Sequence, residues 1–307
     1  MCYSAMVYAE YKKYVREHGA LMDVNAYVKL FWWQQGRDPM KRPRAPRSME
    51  RELLNEGPPE LADAIRRWDA HEISQLEQEI FKQRKRIADG ERAMQSKPTK
   101  KAQEDVRIGS NKVEQAMRRL GDLKRSEAQP DDSRIYPGYY CPVMVWEDGR
   151  RVVKPMRYQC RMPGWTEAIE RKYPGTYMAR RDKLEESWGK LFGYSHGVML
   201  ATAFYEHVER DGQDVILEFR PETGQDLLAA CLWSRSVDAG GNELLSFAAI
   251  SDDPPAEVAA AGHDRCIVPI KPEHIDAWLK PDPKHLAEQY RILDDRERPY
   301  YEHRMAA

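Results

Sequence analysis

The segment from Pro58 to Lys124 constrains this chain more than any other. Ile73, Leu76, Ile80, Ile87 and Met94 fall on one heptad seam, and after Lys97-Pro98-Thr99 a second seam runs through Val106, Val113, Ala116, Leu120 and Leu123. Two amphipathic helices interrupted by a proline bury their stripes most simply against each other, which predicts an antiparallel helical hairpin over residues 58–128. Gln83, Gly90 and Gly109 occupy interior positions of the seam, so the hairpin is expected to need packing on the body or on a partner. No acid/base or ligand cluster stands out on it. It reads as an inserted spacer or docking arm.

The whole chain, 307 residues with this arm included, suffices for one large domain or two modest ones. Residues 23–36, DVNAYVKLFWWQQG, read as a short amphipathic helix from an Asp cap to a closing glycine. In KRPRAPRSMER, residues 41–51, Pro43 and Pro46 predict an extended loop carrying Arg44 and Arg47. Such a run is ordinarily solvated, and its functional reading is a phosphate-contacting strap. After residue 129 the pattern turns strand-like. YYCPVMVWEDGRRVVKPMRYQC reads as a hairpin around Asp148-Gly149, and VMLATAFYEHVE, VILEFRP, LLAACLWSRSV, LLSFAAIS and CIVPI read as further strands. Residues 281–307, rich in Asp, Arg, Tyr and Pro, read as a tail that wraps or frays. The expected fold class is α+β, a compact β-rich, barrel-like body with flanking helices. Its expected parts are 1–57, the inserted hairpin 58–128, the main body 129–282 and the tail 283–307.

No apolar run approaches the length of a membrane helix, and the first fifteen residues place charge where a signal peptide is apolar. No membrane association is expected, and the cytoplasm is the expected compartment. Lys plus Arg total 49 against 50 Asp plus Glu, which excludes a globally basic nucleic-acid coat and leaves room for a local basic groove. The five cysteines show no CxxC spacing, which argues against a disulfide framework and a structural zinc site. No metal or cofactor is expected.

Cys2 calls for another explanation. Once the initiator methionine is trimmed, the chain begins with a 1,2-aminothiol, whose amine titrates near about 7.7–8 and thiol near about 8.5. An aldehyde meeting it forms an imine with the amine and closes with sulfur to a thiazolidine. Met1-Cys2-Tyr3, the Arg157-Tyr158 to Pro163-Gly164-Trp165 stretch, Tyr177-Met178-Ala179-Arg180-Arg181-Asp182, Ala203-Phe204-Tyr205-Glu206 and Gly262-His263-Asp264-Arg265 together resemble, in order, the SOS response-associated peptidase (SRAP) family in its longer bacterial or phage form. The resemblance extends from Cys2 to about Leu279, with the helical hairpin as an insertion.

The resemblance implies covalent capture of abasic sites in single-stranded DNA, Cys2 attacking the ring-opened aldehyde to give a thiazolidine crosslink. Cys2, Glu206 and His263 are then the catalytic residues, Glu206 orienting and deprotonating the amine and His263 moving protons at the sugar. Without the family context His263 reads as a satisfied core histidine and Glu206 as a strand carboxylate. The family's asparagine before Ala-Arg is Met178 here, and the aromatic residue after the glutamate is His207, read as a second proton carrier or a stacking surface. Arg180 is the expected principal phosphate contact, with Arg181, Arg44 and Arg47 completing the groove and Trp165 stacking on bases, alongside Met178 and His207 near the DNA. Trp32 and Trp33 are further stacking candidates, with burial in the core as the ordinary alternative. The expected partners are single-stranded DNA with abasic sites and, through the hairpin, a replication protein; the expected state is a monomer. Two other readings stay open: a thiol peptidase or autoprocessing enzyme built on the same three residues, and a non-catalytic DNA-binding or adaptor module.

Overall fold

The computed structural model describes residues 4–7, 11–32, 42–210, 212–237 and 240–306. Among them twelve strands share one sheet: β1 (Ser4–Val7), β2 (Leu21–Met22), β3 (Arg134–Ile135), β4 (Tyr140–Glu147), β5 (Arg150–Tyr158), β6 (Met178–Arg180), β7 (His196–Arg210), β8 (Gln213–Pro221), β9 (Leu227–Val237), β10 (Glu243–Asp252), β11 (Cys266–Ile267) and β12 (Tyr301–Met305). Asp148 and Gly149 both take positive φ, 50° and 78°, so β4 and β5 meet in a tight hairpin with Glu147 opposite Arg150. β5 pairs in parallel with β10, and antiparallel pairs of β10 with β9, β9 with β7, β7 with β4 and β4 with β5 close a five-stranded barrel. With its helices the body is α+β, as expected.

The β4–β7 seam needs help, because Met144 opposite Val198 is its sole ladder pair. Tyr14, fully buried, supplies it: its hydroxyl donates to the Pro142 carbonyl at 2.9 Å and accepts from the Leu200 amide at 2.9 Å. One side chain thereby satisfies two backbone groups that the strands leave apart. Trp278 seals the neighbouring edge, its indole N–H donating to the Gly197 carbonyl at 2.9 Å.

The chain divides into two compact units, one of Met1–Leu30, Pro43–Leu53 and Pro130–Ala307, the other of Phe31–Arg42 and Leu54–Gln129. The second contains the hairpin. Its helices run Pro59–Ser96 and Lys100–Lys124, the first opened by Pro59 at a position that needs no amide bond, the second capped by Thr99, whose side chain accepts from the Ala102 amide at 3.2 Å. The seam residues Ile73, Leu76, Ile80 and Ile87 are only half-buried, whereas Gly90 and Gly109 are buried. A Cβ on Gly109 would lie 2.7 Å from Ile87 Cγ1 and one on Gly90 2.9 Å from Val106 Cγ2. These glycines are therefore points of close helix approach, not weaknesses in the seam. Gly109→Leu should destabilise the hairpin by about 1–3 kcal/mol despite leucine's better helix propensity. Amide exchange of residues 59–124 measures this, and unchanged protection would refute it.

One expectation is corrected, and of the two alternatives for the tail the wrapping one holds. The extended loop over 41–51 ends at Pro46, because Arg47 opens the helix Arg47–Glu56, with the Glu50 amide bonded to the Pro46 carbonyl at 3.2 Å. The segment expected to wrap or fray contains the helix Leu286–Asp294 and β12, paired with β8 from Tyr301 opposite Pro221 to Met305 opposite Leu217. Only Tyr301 of β12 is buried, so its apolar signal is absent; ladder hydrogen bonds place it. Among the described residues no helix is long and apolar enough to cross a membrane.

Candidate active site

β7 is long enough to serve two partners. Its first half pairs with β9; from Phe204 onward it pairs with β8, while β1 lies along its other edge with Ser4 opposite Tyr205 and Ala5 opposite Phe204. Adjacent strand residues face opposite sides, so Glu206 and Tyr205 enter different environments. Glu206 is fully buried, and its Oε2 lies 3.1 Å from Nε2 of His263. His263 arrives from a separate element: the helix Ala256–Ala260 ends, Gly262 turns the chain at φ +100°, and β11 follows at Cys266. A residue with a Cβ is strained at that φ, which accounts for the glycine before the histidine.

The pair suits proton transfer. Burial pulls His263 below its ordinary pKa, opposed by its hydrogen bonding to the Arg265 backbone, so the imidazole is neutral at pH 7. Nδ1 lies 2.9 Å from the Arg265 carbonyl oxygen and 3.2 Å from its amide nitrogen. It therefore finds a hydrogen-bond partner with or without its own proton.

A second buried histidine marks the contrast. His196 accepts from the Gly193 amide through Nε2 at 2.9 Å and meets the Trp278 carbonyl through Nδ1 at 3.0 Å, packed between Phe192 and Trp278. Burial lowers its pKa to about 3, so it stays neutral where the unfolded chain takes up a proton. Its contribution to stability is complete above about pH 6.5 and is lost as pH falls towards 3, by up to about 1.4 kcal/mol per unit. Urea midpoints at pH 6.5 and 5.5 should fall more steeply for the native chain than for His196→Asn; equal slopes would refute this.

Cys2, Trp33 and Lys41 lie outside the described residues. Ser4, two positions beyond Cys2, stands opposite the neighbour of Glu206, and two residues span at most about 7 Å. Cys141, Cys160, Cys231 and Cys266 are buried, and burial raises each thiol, Cys160 to about 12, so none of these four offers a thiolate at neutral pH.

The expected DNA contacts occupy varied positions. Arg44 is exposed without a carboxylate partner among the described residues, while its backbone carbonyl accepts from the Tyr140 amide at 2.7 Å. Arg47 pairs with Glu50 at 3.0 Å. Arg180, at the end of β6, forks onto Asp182 through Nε at 2.9 Å and Nη2 at 2.7 Å, close to the field of Asp264 beside His263. Arg181 bridges Asp294 and Asp252 beneath the C-terminal helix. Met178 is buried, its sulfur accepting from the Tyr158 hydroxyl at 3.3 Å. His207 is on the face of β7 opposite Glu206, with Nδ1 2.8 Å from Asp214. Trp165 is half-buried against Tyr173, ring centroids 5.0 Å apart, and Trp32 is exposed.

Sequence reasoning missed Arg134. It is buried on β3, donates to the Ser4 hydroxyl at 3.1 and 3.0 Å and lies over the Tyr205 ring at 3.7 Å. Tyr205 in turn donates to Glu218 at 2.8 Å. Nothing local in the sequence signals a contact spanning 130 positions.

A family model described as SOS response associated peptidase (SRAP) matches residues 92–305. Three solved structures are similar. A Bordetella bronchiseptica protein is 18% identical over 60% of this chain and 90% of its own, with a TM-score of 0.48. A Bacteroides thetaiotaomicron protein is 14% identical over 57% and 78%, with a TM-score of 0.47. A phage-related protein of B. bronchiseptica is 19% identical over 57% and 81%, with a TM-score of 0.43. Comparison with curated proteins gives no match.

Proposed function

The chain belongs to the SRAP family, and from that premise we propose that it captures abasic sites in single-stranded DNA through a thiazolidine formed by Cys2. Membership associates it, at the level of the family, with abasic-site processing in the response to DNA damage. The observation that carries the finer reading is the buried Glu206–His263 pair, 3.1 Å apart, beside the strand on which the N-terminus enters.

The chemistry balances with the loss of one water. The neutral amine of Cys2 adds to the aldehyde carbon of the ring-opened sugar, giving a carbinolamine. The two amine protons pass in turn through Glu206 and the neutral His263, 3.1 Å away, to the former carbonyl oxygen, which leaves as water to form the imine. The thiolate then adds to the imine carbon, nitrogen takes up a proton, and the five-membered ring is closed. Arg134 serves as a positioning residue, fixing Ser4 and so the entry of the reacting terminus.

Phosphate contacts fall to Arg44 and Arg180. The exposed Arg180–Asp182 pair is weakly held, so a phosphate displaces the carboxylate readily. Trp165 and Tyr173 offer a stacking surface. Arg47, Arg181, Met178 and His207 each bond to a partner within the fold: Glu50, Asp294, Tyr158 and Asp214.

The test is intact mass spectrometry after incubation with abasic or undamaged single-stranded DNA. A denaturant-stable species at the summed mass less one water, formed with the abasic strand alone, supports capture. Absence of this species overturns it, and cleavage of an unrelated peptide would then favour the thiol peptidase.

A further inference from the structure

Charge is segregated along the helical hairpin. Residues 81–107, around its turn, hold nine basic side chains against four acidic, a net of +5, whereas 59–80 and 108–124 together hold six basic against eight acidic, a net of −2. In the latter part cations cross to the facing helix, as in Arg119–Glu72 at 2.6 Å, Lys124–Glu77 at 3.1 Å and Lys112–Glu79 at 3.8 Å. Around the turn three acids are taken by Arg86, Arg92 and Arg107. Lys82, Arg84, Lys85, Lys97, Lys100 and Lys101 are exposed and have no carboxylate partner among the described residues.

Like charges this dense repel one another and weaken a free hairpin, an effect that a polyanion relieves. Lys82, Lys85 and Arg86 of one helix face Lys101 of the other across an open groove of about 490 Å³, whose two lining carboxylates, Asp89 and Asp105, are held by Arg92 and Arg86. Beside them Phe81 is 76% exposed, one turn from Lys85 and adjacent to Lys82. A bare aromatic ring set among cations is the combination that binds single strands, cations following the phosphates while the ring stacks on a base. An acidic protein segment would use the cations and leave Phe81 idle.

We infer that the turn end of the hairpin is a second binding surface for single-stranded nucleic acid, distinct from the Glu206–His263 site and acting on undamaged strand. It does not rest on covalent capture.

The experiment titrates full-length protein into a fluorescein-labelled undamaged oligothymidylate across a salt series, with circular dichroism to verify helix content. A chain carrying Lys82→Gln, Lys85→Gln and Lys101→Gln should bind about tenfold or more weakly at low salt, with the slope of log affinity against log salt reduced by about 2. Phe81→Ala should lower affinity for the single strand about fivefold or more and leave duplex binding unchanged. Unaltered affinity and slope in the triple variant overturn the inference. So does an equal loss in Lys112→Gln/Arg118→Gln/Lys124→Gln, or a labelled Glu-rich peptide that the native chain binds and the first triple variant loses while its DNA binding persists. Undamaged strand forms no aldehyde adduct, so failure of covalent capture leaves these measurements readable.

Discussion

Cys2→Ala is expected to eliminate the denaturant-stable adduct, and Glu206→Gln to slow its formation by roughly 10²–10⁴-fold, the range for loss of a positioned acid/base group. His263→Ala should fall in the same range. The two side chains act as a unit 3.1 Å apart, so the double variant should be scarcely slower than the slower single variant. Single-turnover time courses at saturating protein supply these rates, with salt-reversible retention of undamaged strand as the control that should not change. The pH profile adds a separate check. Burial holds His263 below its ordinary pKa, so above about pH 6.5 it is neutral and contributes no break. The rate should therefore rise with the ionisation of the amine near about 7.7–8 and then level. In His263→Ala the same rise should persist at a lower plateau. An undiminished rate in Glu206→Gln would remove the carboxylate from the mechanism and leave it a structural partner of the imidazole.

What the sequence made legible was local. Pro98 and Thr99 delimited the two hairpin helices, and Asp148-Gly149 fixed the β4–β5 turn, because caps and turns act over a few residues. Barrel closure was not legible, since β5 pairs in parallel with β10 almost ninety positions later and no local pattern encodes that partner. Nor was the role of Gly90 and Gly109, which depends on where the facing helix lies. The site divided in the same way. Glu206 and His263 were found through short motifs, but their contact is made by a strand and a loop 57 positions apart in numbering. The arginines were hardest to assign. Arg44, Arg47, Arg180 and Arg181 look alike in sequence, and only the carboxylates around them separate the exposed cation at Arg44 from those tied to Glu50, Asp182 and Asp294.

The same distinction sets the largest expected loss of stability. Glu170 ends the short helix Glu167–Glu170 and is 4% exposed; Arg157 bonds to its Oε1, and Arg161 Nε lies 2.8 Å from its Oε2. Arg157 also donates to the Gln159 carbonyl at 3.1 Å, which ties the end of β5 to this cluster. Removing the single anion leaves two shielded guanidinium groups without compensation, and breaking a buried pair in this way costs about 3–5 kcal/mol. At roughly 2–4 °C per kcal/mol for a unit of this size, Glu170→Ala should lower the melting temperature by roughly 10 °C. Glu170→Gln should lose less, because its amide oxygen still accepts one of the two hydrogen bonds. Asp182→Ala is the matched control. It removes the partner of exposed Arg180, where water screens the charges, so the melting temperature should hold while affinity for single strands rises as Arg180 is released. Calorimetry and strand titration of these three variants separate the buried anion from the exposed one. Equal melting temperatures for Glu170→Ala and Asp182→Ala would mean that water reaches Arg157 and Arg161 once the carboxylate is gone, and that the cluster orders the loop before Trp165 without contributing net stability.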